Sequence, residues 1–220
     1  MGHYERHPQC PDVLRKWWKH VTEIPYLPTQ TQVNTHEKRL TRPVVKERDF
    51  EKNVMFFFGG RLVLWGPERV CSVRCAVATL ARRSDSVIIN ITDRQSSSSV
   101  SDGLLGRLQE SVFCLIAKAD SYSTASFYDA IQAGCIPIVI SNWFIFSFPT
   151  FINYAEFTIR LEENDFTKDP HGCLDAVLEM FGKDKRKEMV AAMKRFTPFF
   201  ISSMTAYNYI VIVTNKLKYD

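Results

Sequence analysis

The sequence predicts an α/β domain built on a doubly wound parallel sheet. Three observations predict it: short apolar runs without polar alternation, amphipathic stretches of helical period between them, and glycine at the joints. Runs that are apolar on both faces fit strands covered on both sides, as parallel strands are. The chain has 220 residues, 45% hydrophobic and 24% charged, enough for a substantial core. At about 150 residues per domain it holds one large domain, or one domain with an extension.

Residues 1–48 are polar and broken by Pro8, Pro11, Pro25, Pro28 and Pro43, with one aromatic-rich patch, Leu14–Val21, that fits a short helix. They are expected to form an extension or a remnant of something larger, and residues 49–220 the folded domain. Val54–Phe58 followed by Gly59-Gly60 reads as a buried strand ending in a turn. Arg69–Arg82, apolar at Val70, Val73, Val77 and Leu80, then has helical period. Ser86–Ile91 reads as a second buried strand, Thr92–Asp102 as a serine-rich loop, and Asp102–Glu110 as a short helix. Ser111–Ile116 is a third strand, Thr124–Ala133 a helix closed by Gly134, and Cys135–Ile140 a fourth strand. Glu156–Leu161 fits a fifth. The remainder, Asp169–Phe181, Lys183–Phe196 and Ser203–Lys216, is a helical tail, with Pro170 near the first start and Gly182 at its stop.

Composition narrows the function classes. Lys and Arg number 28 against 24 Asp and Glu, and they are scattered, Lys183–Lys187 being the densest group. Without a basic stripe or tail, nucleic acid is not an expected partner. The longest apolar runs, Val54–Phe58, Trp143–Phe146 and Tyr209–Val213, fall far short of the about 18–20 residues that cross a bilayer. No apolar stretch stands behind Met1–Arg6, so no secretory signal is expected there. The six cysteines sit mostly inside apolar segments, and most are expected as buried thiols. Cys71 and Cys75 would share a helix face, but no second Cys/His pair lies near to complete a zinc site, and no metal is expected.

Ligands of parallel sheets bind outside the carboxyl ends of the strands. The loop after Ile116, Ala117–Ser126, is dense in hydroxyls (Ser121, Ser123, Thr124, Ser126) immediately before a helix, and with Asp120 it suits a phosphate group. Alternatively Ser123 or Thr124 simply caps that helix. Asp129, one turn inside it, is placed to accept from a ribose diol or is an exposed helical aspartate. Gly60 permits close approach of a ligand or only ends its strand. Arg74 is a candidate for gripping a diphosphate with its planar fork, or faces water. The five histidines (His3, His7, His20, His36, His171) lie in the extension or the tail, so no general base is assigned. GxGxxG, P-loop, HExxH and GxSxG motifs are all absent.

Ser111-Val112-Phe113-Cys114-Leu115, the hydroxyl-rich loop with Asp120, and Tyr128-Asp129-Ala130-Ile131-Gln132-Ala133-Gly134-Cys135-Ile136-Pro137-Ile138-Val139 resemble the signature block of the exostosin-type glycosyltransferases. Phe148-Pro149, Phe151-Ile152 and Tyr154–Phe157 resemble its continuation, and Ile24-Pro25-Tyr26, Phe57–Gly60 and Val73-Arg74 its short upstream elements. The resemblance runs from about Glu23 to about Phe199. It implies a Rossmann-like sheet like the C-terminal lobe of a two-lobed GT-B enzyme. It also implies transfer from a UDP-sugar donor to a polysaccharide or glycoprotein glycan acceptor in the Golgi, without a bound metal or other cofactor. By it, Asp129 takes the acidic position at the ribose, and the Asp120–Ser126 loop faces the diphosphate.

The chain departs from the family pattern twice. Ala117-Lys118-Ala119-Asp120 stands where the family has P-x-G-D, and Ser126 where it has an arginine. Lys118 restores the charge of that arginine but not its bidentate geometry. The expected function is therefore transfer from a UDP-sugar; the alternative is a degenerate lobe that serves as a binding subunit of another, active glycosyltransferase. A single sequon, Asn90-Ile91-Thr92, closes what reads as a buried strand.

Overall fold

The structure is a computed structural model, and it describes residues 54–62, 72–91, 98–119, 122–149, 151–197 and 200. The extension 1–48 with its Leu14–Val21 patch, Cys71, Asp120, Ser121 and the Ser203–Lys216 helix lie outside the described residues.

Five strands alternate with helices. β1 (Val54–Gly60) is followed by α1 (Ser72–Thr79), which tightens into a 3-10 turn at Leu80–Arg82, then β2 (Ser86–Asn90), α2 (Ser98–Glu110) and β3 (Ser111–Ala117). The chain continues through α3 (Ala125–Ala133), β4 (Ile136–Ile140), β5 (Ile159–Leu161), α4 (Glu163–Lys168), α5 (Pro170–Met180) and α6 (Lys183–Phe196). All strand pairs are parallel, in the order β2-β1-β3-β4-β5. The α/β doubly wound, Rossmann-like reading holds, and a helical tail follows the sheet. After β1 the chain steps outward to β2, then crosses back over β1 to β3, so the topological switch point lies between β1 and β3.

The burial of each strand follows from its place. β3 and β4 are buried at every residue, which is why both read as unbroken apolar runs. β2 differs from its expected burial: Ser86–Ile89 are half-buried and Asn90 is exposed. Among the described residues it is an edge strand, with one neighbour instead of two. Helix ends obey local chemistry. Gly134 closes α3 at φ 71°, and its N–H donates to Ile131 O at 3.1 Å. Asp169 caps α5, its carboxylate accepting from Gly172 N at 2.8 Å ahead of Pro170. α2 starts at Ser98 rather than Asp102, inside the expected loop, and β5 is shorter than expected because Tyr154–Glu156 is a 3-10 turn.

The expectation of buried thiols fails at the centre of the sheet. Cys114 and Cys135 form a disulfide, with Cα atoms 5.8 Å apart. Cys114 faces Pro137 in the parallel register, which brings Cys135, just before β4, within bonding distance. Closing a loop across 21 residues contributes about 3 kcal/mol in chain-entropy terms. Cys75 is disulfide-bonded as well. Among the described residues only Cys173 is free, and burial first, then Asp169 and Asp165, push its thiol up in pKa, so it stays protonated and inert.

At the amino ends of the strands, two arginines close the core. Arg83 forms a fork with Asp85 (Nε to Oδ1 and Nη2 to Oδ2, both 2.9 Å), reaches Asp175 at 2.8 Å and lies 5.5 Å over the Phe56 ring. Arg186 donates to Phe181 O at 2.6 Å and lies 5.4 Å over Phe113.

Candidate functional site

At the carboxyl ends of β1 and β3 the switch point opens, and Arg74 sits across it. α1 carries Arg74 over the strand ends, where its Nε donates to Lys118 O at 2.8 Å and its Nη1 to Arg61 O. Its guanidinium lies 5.8 Å from the Phe58 ring. One side chain thus joins the loop after β1 to the loop after β3. The guanidinium expected to grip a diphosphate donates to these two backbone carbonyls.

The glycines of β1 have separate duties. A Cβ on Gly59 would stand 2.7 Å from Leu104 Cδ2, so Gly59 admits the packing of α2. Gly60 ends the strand beside Arg74: a Cβ there would meet Nη1 at 3.7 Å and the Phe58 ring at 3.1 Å. Its N–H and C=O lie in the strand ladder and its continuation, Gly60 O accepting from Ile91 N at 3.0 Å. Asn90, the last residue of β2, braces the same loop by accepting from Leu62 N at 3.0 Å.

The loop between β3 and α3 is held from the far side. Ile145 N donates to Tyr122 O at 2.8 Å, tying it to the loop after β4. Tyr128, buried at 2% exposure, shares its hydroxyl between Ser123 Oγ at 3.3 Å and Ser147 Oγ at 2.7 Å, and Tyr154 donates to Ser147 O. Beside Ser147, Phe148 adopts φ 54°, a left-handed backbone that a non-glycine residue holds at a cost of about 1 kcal/mol or more. Its ring is fully buried, which over-determines the turn.

Thr124 occupies the N-cap position of α3 but makes no side-chain cap bond; its Oγ1 pairs with Ser126 Oγ at 3.1 Å. The helix-capping alternative therefore fails at Thr124, and the first-turn amides of α3 are uncapped by that side chain. Ser126 is exposed on the first turn, and Asp129 is half-buried further along the helix. Gly60, Arg74, Ser123, Thr124, Ser126 and Asp129 belong to elements that converge on one end of the sheet.

A cluster beside this loop has no sequence signature. Lys118 Nζ pairs with Glu163 Oε2 at 3.1 Å, while Glu163 Oε1 accepts from Asn142 N at 2.9 Å and Glu163 N donates to Asn142 Oδ1 at 3.0 Å. Glu163 follows β5 and Asn142 follows β4, positions 21 residues apart that only the sheet brings together. Trp143 beside Asn142 is 49% exposed. Among the described residues no group of three or more His, Cys, Asp or Glu could hold a metal ion, and no helix is long and apolar enough to cross a membrane.

Three curated proteins are similar to parts of this chain. A probable xyloglucan galactosyltransferase, GT12, of Arabidopsis thaliana is 35% identical over 91 residues, which is 37% of this chain and 17% of that protein. Exostosin-1 of Drosophila melanogaster is 36% identical over 56 residues, 26% of this chain and 7% of that protein. The xyloglucan galactosyltransferase MUR3 of Arabidopsis thaliana is 26% identical over 125 residues, 55% of this chain and 20% of that protein. The chain thus spans a fifth or less of the length of each. The family model described as the Exostosin GT47 domain matches residues 13–177, beginning within the stretch expected to be an extension and covering the sheet and the loops at its carboxyl end. The chain belongs to the exostosin GT47 family of glycosyltransferases.

Proposed function

We propose that this chain carries the donor side of a glycosyltransferase of the GT-B kind, binding a UDP-sugar at the β1/β3 switch point for transfer to a polysaccharide or glycoprotein glycan in the Golgi lumen. The observation that carries the reading is Arg74 bridging the loops after β1 and β3. On this reading the first-turn amides of α3, which the Thr124 side chain leaves uncapped, the loop hydroxyls and a Lys118 ammonium released from Glu163 would meet a departing diphosphate. Arg74 acts as a positioning residue there, and Asp129 receives the ribose. The diphosphate charge is met by N–H groups, hydroxyls and Lys118, with no resident metal or other cofactor. The xyloglucan galactosyltransferase names of two relatives make a galactosyl donor the first to try.

A second reading has its own observation. Ser126, standing where the family resemblance expects an arginine, is exposed and pairs its hydroxyl with Thr124 Oγ1 at 3.1 Å, so this position supplies no cationic fork. On that reading the lobe binds nucleotide weakly and serves an active partner transferase.

Calorimetric titration of the purified chain with UDP and UDP-sugars, with and without divalent metal, separates the two. Micromolar UDP binding that Asp129→Ala weakens at least tenfold supports the donor reading. Absence of binding at millimolar UDP sinks it in favour of the partner subunit.

A further inference from the structure

The sequon Asn90-Ile91-Thr92 reads in sequence as the end of a buried strand, where a glycan could not be accommodated. The fold reverses that. Among the described residues β2 is the outermost strand of the sheet, and Asn90, its last residue, is exposed. The folded state can also carry a glycan on this amide. Oδ1 accepts from Leu62 N at 3.0 Å, whereas Nδ2 has no partner among the described residues. Glycosylation replaces one hydrogen on Nδ2 and leaves the carbonyl oxygen free to keep its bond. The Cys114–Cys135 disulfide, joined by a bonded Cys75, places the folding of this chain in an oxidising compartment, where asparagine glycosylation also occurs.

We infer that Asn90 is an N-glycosylation site of this protein. In the step, Nδ2 attacks the anomeric carbon of an oligosaccharide linked to a lipid diphosphate, supplied by the membrane machinery of that compartment. The new C–N bond forms as the carbon–oxygen bond to the diphosphate breaks; Nδ2 loses one proton and the lipid diphosphate departs. The finished glycan stands at the free edge of β2, beside the half-buried Val87, Ile88 and Ile89, where its bulk opposes edge-to-edge pairing with another chain. This inference shares with the proposed function only lumenal residence, and its test reads no nucleotide binding, so the two can fail separately.

The test translates the full chain behind a cleavable signal sequence in the presence of microsomes and reads the protease-protected fraction. The expected result is one discrete gel shift, removed by peptide-N-glycosidase, abolished by Asn90→Gln and by Thr92→Ala, and retained by Thr92→Ser. Attachment precedes folding, so a variant that folds poorly still reports. A protected, disulfide-bonded chain without the shift overturns the inference, as does a shift that survives Thr92→Ala.

Discussion

The two ends of the sheet use the same residue type in opposite ways. At the amino ends, Arg83 meets carboxylates: a two-bond fork to Asp85 and a third bond to Asp175, above the Phe56 ring. At the carboxyl ends, Arg74 donates to Lys118 O and Arg61 O, and Arg160 to Ser141 O at 3.2 Å. A carboxylate neutralises a guanidinium, whereas a carbonyl fixes its direction and leaves the charge in place. One end is thereby closed by a carboxylate fork, and the other has its loops held in position through backbone carbonyls. That division is the one a parallel sheet imposes, since strand carboxyl ends open onto the loops that bind.

Arg83→Ala tests the closed end most severely. Its side chain is 13% exposed and Asp85's 29%, so removal strands a half-buried carboxylate, costing about 2 kcal/mol, less than a fully buried pair would. Urea unfolding should show that loss with UDP affinity unchanged, and a parallel fall in affinity would erase the distinction between the ends. The reverse is expected for Arg74→Ala: UDP affinity down about tenfold, equivalent to about 1.4 kcal/mol, with a smaller change in unfolding midpoint. Arg74→Lys should not rescue it, because an ammonium cannot span two carbonyls as a fork does.

The third test is of pH. The Arg83 fork foremost, opposed by some desolvation, holds the Asp85 carboxyl below its ordinary value. A lowered folded-state pKa stabilises the fold above the unfolded carboxyl value, about 4, and that contribution vanishes as pH falls through the folded value. Because the pair is partly solvated, the effect is at most about 1 kcal/mol. Asp85→Asn should flatten the stability profile below about pH 4, and an unchanged profile would assign acid sensitivity elsewhere. Smallest of all, Glu163→Gln breaks the ion pair with Lys118 while keeping an oxygen for Asn142 N, and should cost about 0.5 kcal/mol of stability. If it raises UDP affinity by releasing Lys118 toward the opening, the contrast between the two ends sharpens.

Much of this was legible in the sequence. β3 and β4 were unmistakable because burial on both faces leaves no room for polar alternation, and Gly134 marked the end of α3 because its left-handed φ suits no other residue so well. The candidate loop follows from the rule that ligands of parallel sheets bind outside the carboxyl ends of the strands. What escaped depends on neighbours distant in sequence. β2 looked interior because Val87, Ile88 and Ile89 are as apolar as any core strand, and nothing local tells an edge from a centre. Cys114 and Cys135 looked like thiols because their pairing depends on the register between two strands. Arg74 was located but its partners were not, since carbonyl acceptors carry no residue signature. The Lys118–Glu163–Asn142 cluster joins three strand ends and was invisible for the same reason.

The disulfide between Cys114 and Cys135 turns the segment from β3 through α3 into a covalent ring. Everything the donor would touch on that side, from Lys118 to Asp129, lies on this closed circuit. A single proteolytic cut within it leaves both pieces tethered through sulfur, still paired as β3 and β4 in the middle of the sheet. Backbone continuity at this loop is therefore dispensable to the scaffold, and the loop can change in sequence or length while the strands that carry it stay joined.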